Sequence, residues 1–202
     1  LGMGTAYLAC LLGEYAISEY ARMPVDTAPA SEFRYRNPII DEKTAYVFVS
    51  QSGETADTIG ALREVKKQGG LTLGIINVVG SSVAREVDAG LYNHVGPEIG
   101  VASTKAFTSQ VALLSLLAVF FANRKGTLLP ELTGELRKIP EAMGRVLKRA
   151  KDMERLAKKY VKAESALYIG RKYQYPIALE GALKLKEISY VHAEGYAAGE
   201  LK

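Results

Sequence analysis

Cysteine and histidine are scarce in this sequence of 202 residues: Cys10 is the only cysteine, and His94 and His192 are the only histidines. A single cysteine excludes an internal disulfide and a multi-cysteine zinc site, and two histidines are too few for a histidine-rich metal centre. We therefore predict no metal site. Because disulfides belong to oxidising compartments, we also predict that the chain works in a reducing compartment, the cytoplasm.

The sequence also lacks a strong excess of one charge and a long apolar run. Twenty-six Lys and Arg residues against 22 Asp and Glu residues give a net charge of +4, and the excess is spread out except in residues 145–162. This composition does not indicate nucleic-acid binding. The longest apolar stretch, residues 111–122, is shorter than the ~20 residues that cross a membrane, so we predict a buried core helix. We find no signal-peptide pattern and predict no membrane contact.

Short apolar strands alternate with helices in the first part of the chain. Strands are predicted at residues 45–49, 71–76 and 91–95, and helices at residues 7–21, 55–68 and 82–87. Continuously apolar strands separated by helices are typical of a parallel sheet that is covered on both faces. We therefore predict a doubly wound, flavodoxin-like α/β unit over residues 1–125.

The composition changes after this unit. Gly126 and Pro130 interrupt the pattern, and a charged helix is predicted over residues 139–162. A strand at residues 166–169 and another long helix follow. We therefore predict a helical connector over residues 126–162 and the beginning of a second α/β unit, cut short at the end of the chain, over residues 163–202.

The segment Ser50-Gln51-Ser52-Gly53-Glu54-Thr55 lies between a predicted strand and a predicted helix. Ligands of open α/β sheets bind beyond the carboxyl ends of the strands, where this loop must lie. The free N–H groups and partial positive charge of a helix N-terminus suit a phosphate, and three hydroxyls and an amide add donors. Phosphate binding is the favoured interpretation. The alternative is that Ser52 caps the helix and Gly53 permits the turn.

Nucleotide-binding motifs are absent. Residues 2–7 begin like a dinucleotide-binding loop, but Tyr7 stands where the third glycine belongs, and no Gly-x-x-x-x-Gly-Lys-Ser/Thr sequence occurs. We therefore predict no NAD, no ATP and no other organic cofactor.

A second polar loop precedes the apolar helix that ends near Ala122. Either Ser103 or Thr104 is positioned to cap that helix, and either hydroxyl is placed to face the same pocket as the first loop, because this loop also follows a strand. Both interpretations remain open, and Lys105 is equally consistent with a solvated charge.

Two carboxylates and one ammonium group share a face of the last predicted helix. Glu180, Lys184 and Glu187 are spaced i, i+4 and i+7. Spacing alone favours a surface stripe of ion pairs, worth only ~0.3–0.5 kcal/mol per pair; inside a pocket, the same groups suit general acid–base chemistry. His192, placed one turn further on the same helix, and His94 are predicted to be hydrogen-bonded structural residues.

Four long runs resemble the isomerase part of the glutamine–fructose-6-phosphate aminotransferases, also called glucosamine-6-phosphate synthases. They are residues 30–36, 50–57, 98–107 and 174–202. The resemblance implies the SIS (sugar isomerase) fold, in which two flavodoxin-like subdomains surround a ketose-phosphate site. It also implies hexosamine synthesis from fructose 6-phosphate, a glutaminase domain in the same full-length chain that releases ammonia, and a homodimer.

The resemblance also implies roles for individual residues. The phosphate loop of the family matches Ser50, Gln51, Ser52 and Thr55, with Thr5 contributing from the first turn of the chain. Contacts to the sugar hydroxyls match Val101 and Ser103. Glu187 resembles the base that moves a proton between C1 and C2, Lys184 resembles its partner, and Glu180 lies on the same helix.

The sequence departs from the family pattern at several positions. Met3 and Ala6 stand where the family has cysteine and serine, so one hydroxyl donor is missing at Ala6. The ring-opening histidine and the Schiff-base lysine of the family have no counterpart in these residues. We therefore predict that residues 1–202 bind sugar phosphate weakly and do not complete the synthase reaction alone.

Two other functions are compatible with the same loop. One is a non-catalytic SIS sensor that binds a sugar phosphate and reports its level to a partner. The other is a deglycase or a different aldose–ketose isomerase on the same fold. Residues 30–36 and 98–107 favour the synthase.

Overall fold

The computed structural model describes residues 1–202 and contains five strands and nine α-helices. In chain order they are α1 (Thr5–Ala16), α2 (Ala30–Tyr35), β1 (Ala45–Ser50), α3 (Ala56–Lys67), β2 (Leu71–Ile76), α4 (Ser82–Glu86), β3 (Ala89–Tyr92), α5 (Lys105–Arg124), α6 (Pro130–Arg137), α7 (Ile139–Leu147), α8 (Ala150–Lys159), β4 (Ser165–Gly170), α9 (Gln174–Ser189) and β5 (His192–Ala197). A π-helical turn, Ile17–Ala21, continues α1, and a 3₁₀ turn, Ala198–Glu200, follows β5.

The first sheet is parallel and has helices on both faces. Its order is β1-β2-β3. Alternate strand residues point to opposite faces, so Phe48 and Ile76 pack in the core cluster that includes residues of α2, α3 and α4. Their neighbours Val49 and Ile75 pack in the cluster formed with α1 and α5. The predicted doubly wound α/β class is confirmed.

Strand β3 lies earlier than predicted. The predicted strand covered residues 91–95, whereas β3 is Ala89–Tyr92. Gly90 precedes the predicted strand, yet it lies within β3 and pairs with Gly74 of β2. A Cβ atom at Gly90 would lie 2.7 Å from the carbonyl oxygen of Gly74, so the glycine permits close pairing here instead of ending the strand.

The charged tract predicted as one helix forms two helices, and a further helix, α6, precedes them. The predicted helix over residues 139–162 is divided into α7 and α8. The division lies at Arg149, whose backbone angles, φ −94° and ψ 13°, are not helical. Helices α6, α7 and α8 contain no buried residue, and a helix without packing partners gains little from continuing. The boundaries predicted for the connector and the second unit stay predictions.

The second sheet has two parallel strands, β4 and β5, joined through α9. The prediction that His192 continues the helix of Glu187 is wrong. Helix α9 ends at Ser189, and Tyr190 adopts the left-handed conformation, φ 61°, which terminates a helix. His192 therefore begins β5, where it is exposed and contacts Glu194 at 3.1 Å. That a second subdomain begins here stays a prediction.

Helix α5 is long and apolar enough to cross a membrane by length and composition, with a mean hydropathy of 1.7 in its most apolar stretch. A third of that stretch is buried inside the fold. Phe107 and Leu114 pack against α1, and Ala118 and Ala122 pack with Ile17 of the π-helical turn. One face of α5 therefore packs in the core, whereas Leu116 and Phe120 are about half exposed. The prediction of a buried helix over residues 111–122 holds for the packed face only.

Candidate active site

A cavity of about 210 Å³ opens beyond the carboxyl end of β1, beside the first turns of α1, α3 and α5. Eleven residues line it: Met3, Thr5, Ala6, Val49, Ser50, Gln51, Ser52, Thr55, Thr58, Ser103 and Gln110. Six of the predicted binding residues are therefore brought together here: Thr5, Ser50, Gln51, Ser52, Thr55 and Ser103. Val101 does not line the cavity and is 81% exposed.

The loop after β1 is held by its own serines. The Ser50 hydroxyl accepts a hydrogen bond from Gly53 N–H at 2.9 Å, and the Ser52 hydroxyl accepts one from Glu54 N–H at 3.2 Å. Gly53 has φ 66°, and a Cβ atom there would lie 2.0 Å from Ser81 Oγ. Only glycine fits this turn without rearrangement.

Helix α3 begins at this loop without a side-chain cap. Its N-cap residue is Thr55, and no side chain accepts a hydrogen bond there. The alternative that Ser52 caps the helix is therefore wrong. The N–H groups at the start of α3 keep their partial positive charge for a ligand of the cavity.

The cavity is polar but uncharged, since none of its lining residues is ionisable at neutral pH. Two of its polar atoms, Thr58 Oγ1 and Gln110 Oε1, are buried without a hydrogen-bond partner, and each residue is only 1% exposed. Buried polar groups are nearly always satisfied, so these two atoms are available to hydrogen-bond a molecule in the cavity.

Neither residue was predicted from the sequence, although each position carries a signal. Thr58 follows Thr55 by one helical turn, and Gln110 interrupts an apolar helix with an amide.

The second polar loop is organised by a residue that the sequence analysis did not single out. Glu98 Oε2 accepts a hydrogen bond from the Ser103 hydroxyl at 2.8 Å, and Glu98 Oε1 accepts bonds from Thr104 N–H at 2.7 Å and its hydroxyl at 3.2 Å. Neither Ser103 nor Thr104 caps α5 through its own side chain. Burial opposes ionisation of this carboxyl, but the hydrogen bonds from Thr104, Ser103 and the Ala106 N–H outweigh it and lower the pKa of Glu98.

Glu180, Lys184 and Glu187 form a compact cluster on α9. Lys184 Nζ lies 2.6 Å from Glu187 Oε2 and 3.6 Å from Glu180 Oε1. The side chains of Glu180, Lys184 and Glu187 are 8%, 20% and 30% exposed, respectively. The alternative of a solvated surface stripe is therefore wrong. Burial raises the pKa of Glu180, against the lowering effect of Lys184 and of the hydrogen bond from Thr5.

One hydrogen bond joins the charged cluster to the cavity. The Thr5 hydroxyl, which lines the cavity, donates to Glu180 Oε1 at 3.0 Å. The other carboxylate oxygen of Glu180 is buried without a partner. The candidate site thus combines an uncharged cavity at the first sheet with an acid–base cluster from the second. No group of three or more metal-ligating side chains occurs in the described chain.

Comparisons with known proteins give consistent results. A family model described as SIS domain matches residues 1–120 and 159–202. The chain is 52% identical over 203 residues to an isomerizing glutamine–fructose-6-phosphate aminotransferase of Clostridium tetani, and 50% identical over 202 residues to one of Chlorobaculum tepidum; both matches cover 98% of this chain. The chain spans only 33% of the length of these two relatives.

A solved structure is also similar. It is the C-terminal domain of glucosamine-fructose-6-phosphate aminotransferase from Francisella tularensis, with a TM-score of 0.96 and 42% sequence identity. The match covers 99% of this chain and 58% of that chain.

Proposed function

The chain belongs to the SIS domain family, and we propose that it is the sugar-phosphate isomerase part of an amidotransferase. In this proposal, the longer protein converts fructose 6-phosphate and ammonia from glutamine into glucosamine 6-phosphate. The names and the roughly 50% identity of the curated relatives support it. The cytoplasm as its location, a glutaminase domain on the same full-length chain and a homodimer are further parts of the proposal.

The observation that carries the proposal is the uncharged cavity with its two unpartnered polar atoms, Thr58 Oγ1 and Gln110 Oε1. Hydroxyl and amide donors beside an uncapped helix N-terminus suit a phosphate ester. In the proposal, Ser50, Gln51, Ser52 and Thr55 surround the phosphate, and Thr5 contributes from α1. Ser103 contacts a sugar hydroxyl. Val101, which lies outside the cavity lining, is proposed to contact the sugar only through the resemblance.

The charged cluster supports a proton-transfer role. Ammonia condenses with the C2 carbonyl of the open-chain ketose and releases water, which gives an imine. Glu187 then takes a proton from C1 and returns it to C2, while the proton of the C1 hydroxyl moves to nitrogen; an aldehyde forms at C1 and an amine at C2. Lys184 Nζ, 2.6 Å from Glu187 Oε2, orients the carboxylate toward the sugar.

In this proposal, residues 1–202 do not carry out the complete reaction alone. The chain spans a third of the curated relatives, and its own residues supply a sugar-phosphate cavity and a base. We propose that residues 1–202 bind the sugar phosphate weakly and that the rest of the enzyme is needed for turnover.

The test is Glu187→Gln in the full-length protein that carries this chain. Loss of a general base lowers a rate by roughly 10²–10⁴-fold, so sugar isomerisation should fall by that factor while glutamine hydrolysis persists. The matched control is Glu154→Gln, which changes an exposed glutamate of α8 that is paired with Lys158 and should leave both rates unchanged. Isomerisation at the normal rate in the Glu187 variant contradicts the assignment.

A further inference from the structure

Building on the proposed function, we infer that Glu98 fixes the direction in which a sugar phosphate lies in the cavity. Its carboxylate lies at the N-terminus of α5 and accepts a hydrogen bond from the Ser103 hydroxyl. The phosphate is thereby confined to the α3 side of the cavity, and a sugar hydroxyl is directed to Ser103. Glu98 does not line the cavity and acts through other groups, so it is a positioning residue.

The contacts of Glu98 determine what Ser103 offers a ligand. A serine hydroxyl has one proton to donate and two lone pairs to accept with. Because Ser103 donates to Glu98 Oε2 at 2.8 Å, only its accepting capacity remains for the cavity. A sugar hydroxyl supplies the donor that such a group requires, whereas an ionised phosphate oxygen does not.

The same carboxylate makes the two helix N-termini at the cavity unequal. At α5, Glu98 Oε1 accepts from Thr104 N–H, so a negative charge already occupies the positive end of the helix dipole. At α3, no side chain caps the helix. The acidic residue in the first turn of α3, Asp57, does not line the cavity and lies 4.0 Å from the Arg34 guanidinium. An anion therefore binds more favourably at the N-terminus of α3 than at the N-terminus of α5.

Ionisation of Glu98 agrees with this arrangement. Its burial is outweighed by hydrogen bonds from Thr104, Ser103 and Ala106, which lower the pKa of its carboxyl. The negative charge at the start of α5 is therefore present throughout the neutral range.

The experiment compares two ligands by isothermal titration in the protein that carries this chain: fructose 6-phosphate, which uses both sides of the cavity, and inorganic phosphate, which uses only one. In Glu98→Gln, the amide cannot accept all three donors, so Ser103 loses its fixed orientation. We expect fructose 6-phosphate to bind about tenfold more weakly and inorganic phosphate to bind at least as well as before. Turnover should show a raised KM for the sugar with a smaller change in kcat.

A double variant tests whether Glu98 acts through Ser103. If it does, Glu98→Gln combined with Ser103→Ala weakens fructose 6-phosphate binding no more than Ser103→Ala alone. Glu98→Asp keeps the charge and should restore part of the affinity, and it gives the same readouts if the glutamine variant does not fold. The matched control is Asp88→Asn: Asp88 also accepts a backbone N–H and a hydroxyl, both from Thr72, at the start of β2. This control should change neither affinity.

The outcomes separate the two proposals. Equal weakening of both ligands in Glu98→Gln, additive effects with Ser103→Ala, or no change in either affinity overturns the role of Glu98 and leaves the proposed function standing. Failure of the unaltered protein to bind either ligand overturns the proposed function, and the role of Glu98 with it.

Discussion

The cavity at the end of β1 is lined without a single charged side chain, whereas the cluster on α9 places two carboxylates around one ammonium group. The cavity leaves Thr58 Oγ1 and Gln110 Oε1 unsatisfied. In the α9 cluster, Lys184 pairs with Glu187 at 2.6 Å and lies 3.6 Å from Glu180. The Thr5 hydroxyl joins the two regions.

The difference shows how two kinds of polar site are built at one edge of a fold. An uncharged cavity binds an anion without the cost of burying a cation, and a buried hydroxyl that lacks a partner within the protein contributes less to stability than one that has a partner. In the charged cluster, burial raises the pKa of Glu180, and perturbed pKa values are typical of sites that transfer protons. Removal of a polar group should therefore stabilise the cavity region and destabilise the charged cluster, whereas a steric change in the cavity loop should be costly.

The largest effect is expected from Gly53→Ala, which disrupts the loop of the uncharged cavity. The new Cβ atom would lie 2.0 Å from Ser81 Oγ and 2.6 Å from its Cβ, at a residue with φ 66°. We expect the free energy of unfolding to fall by about 3 kcal/mol and phosphate binding to be lost. Gly69→Ala is the control: its φ is 80° with nothing within 4 Å, so it should cost only ~1 kcal/mol. Equal losses in urea unfolding would contradict the steric argument.

The next effect comes from the charged cluster. Lys184→Met leaves two carboxylates close together without their cation and should lower the unfolding free energy by about 2 kcal/mol, less than for a fully buried pair because Lys184 is partly exposed. Lys158→Met removes an ion pair of the same i,i+4 spacing with Glu154, but on the surface, and should cost less than ~0.5 kcal/mol. Denaturant midpoints that shift equally in the two variants would show that burial of the cluster is unimportant.

A smaller effect of opposite sign is expected in the cavity. Thr58→Val removes a buried hydroxyl that has no partner and keeps the shape of the side chain. Thermal unfolding should show a gain of about 1 kcal/mol, while calorimetry shows weaker phosphate binding. Thr72→Val is the control, because the Thr72 hydroxyl is equally buried but donates to Asp88 at 2.7 Å; it should lose about 1 kcal/mol. A loss of stability in both variants would mean that Thr58 is satisfied.

The smallest effect is a pH dependence at Glu180. Burial raises the pKa of Glu180 above its ordinary value of 4.5, although Lys184 and Thr5 favour its ionised form and Glu187 does not. The folded state thus holds this proton more tightly than the unfolded state, so its contribution to stability is complete below about pH 4.5 and is lost as the pH rises through the folded value. Relative to the unaltered chain, the Glu180→Gln variant should therefore become more stable as the pH rises from 4 to 8. The measurement is the unfolding free energy of both proteins at each pH. A constant difference would contradict the raised pKa.

Local patterns predicted most of the first unit and of its loop. Ser50 to Thr55 lie between an apolar strand and an amphipathic helix, so their place at the sheet edge follows from short-range rules. The position of β3 did not, because the pairing of Gly90 with Gly74 is a packing relation between two strands. His192 was placed on the wrong element because the left-handed turn at Tyr190 carries no glycine.

Long-range contacts in the site could not be predicted from spacing. The i, i+4, i+7 pattern of Glu180, Lys184 and Glu187 is the same for a surface stripe and for a buried cluster, and only packing against α1 decides between them. The role of Glu98 depends on how residues 98–104 fold back on themselves, for which no residue type gives a signal.

The hydrogen bond between Thr5 and Glu180 joins residues 175 positions apart, and this separation imposes an order on synthesis. At about 5–20 residues per second, a ribosome needs roughly 10–35 s to travel from one to the other. All the residues that line the cavity precede position 111 in the chain, whereas α9 begins only at Gln174. A nascent chain therefore completes the proposed phosphate cavity well before it completes the proposed proton-transfer cluster.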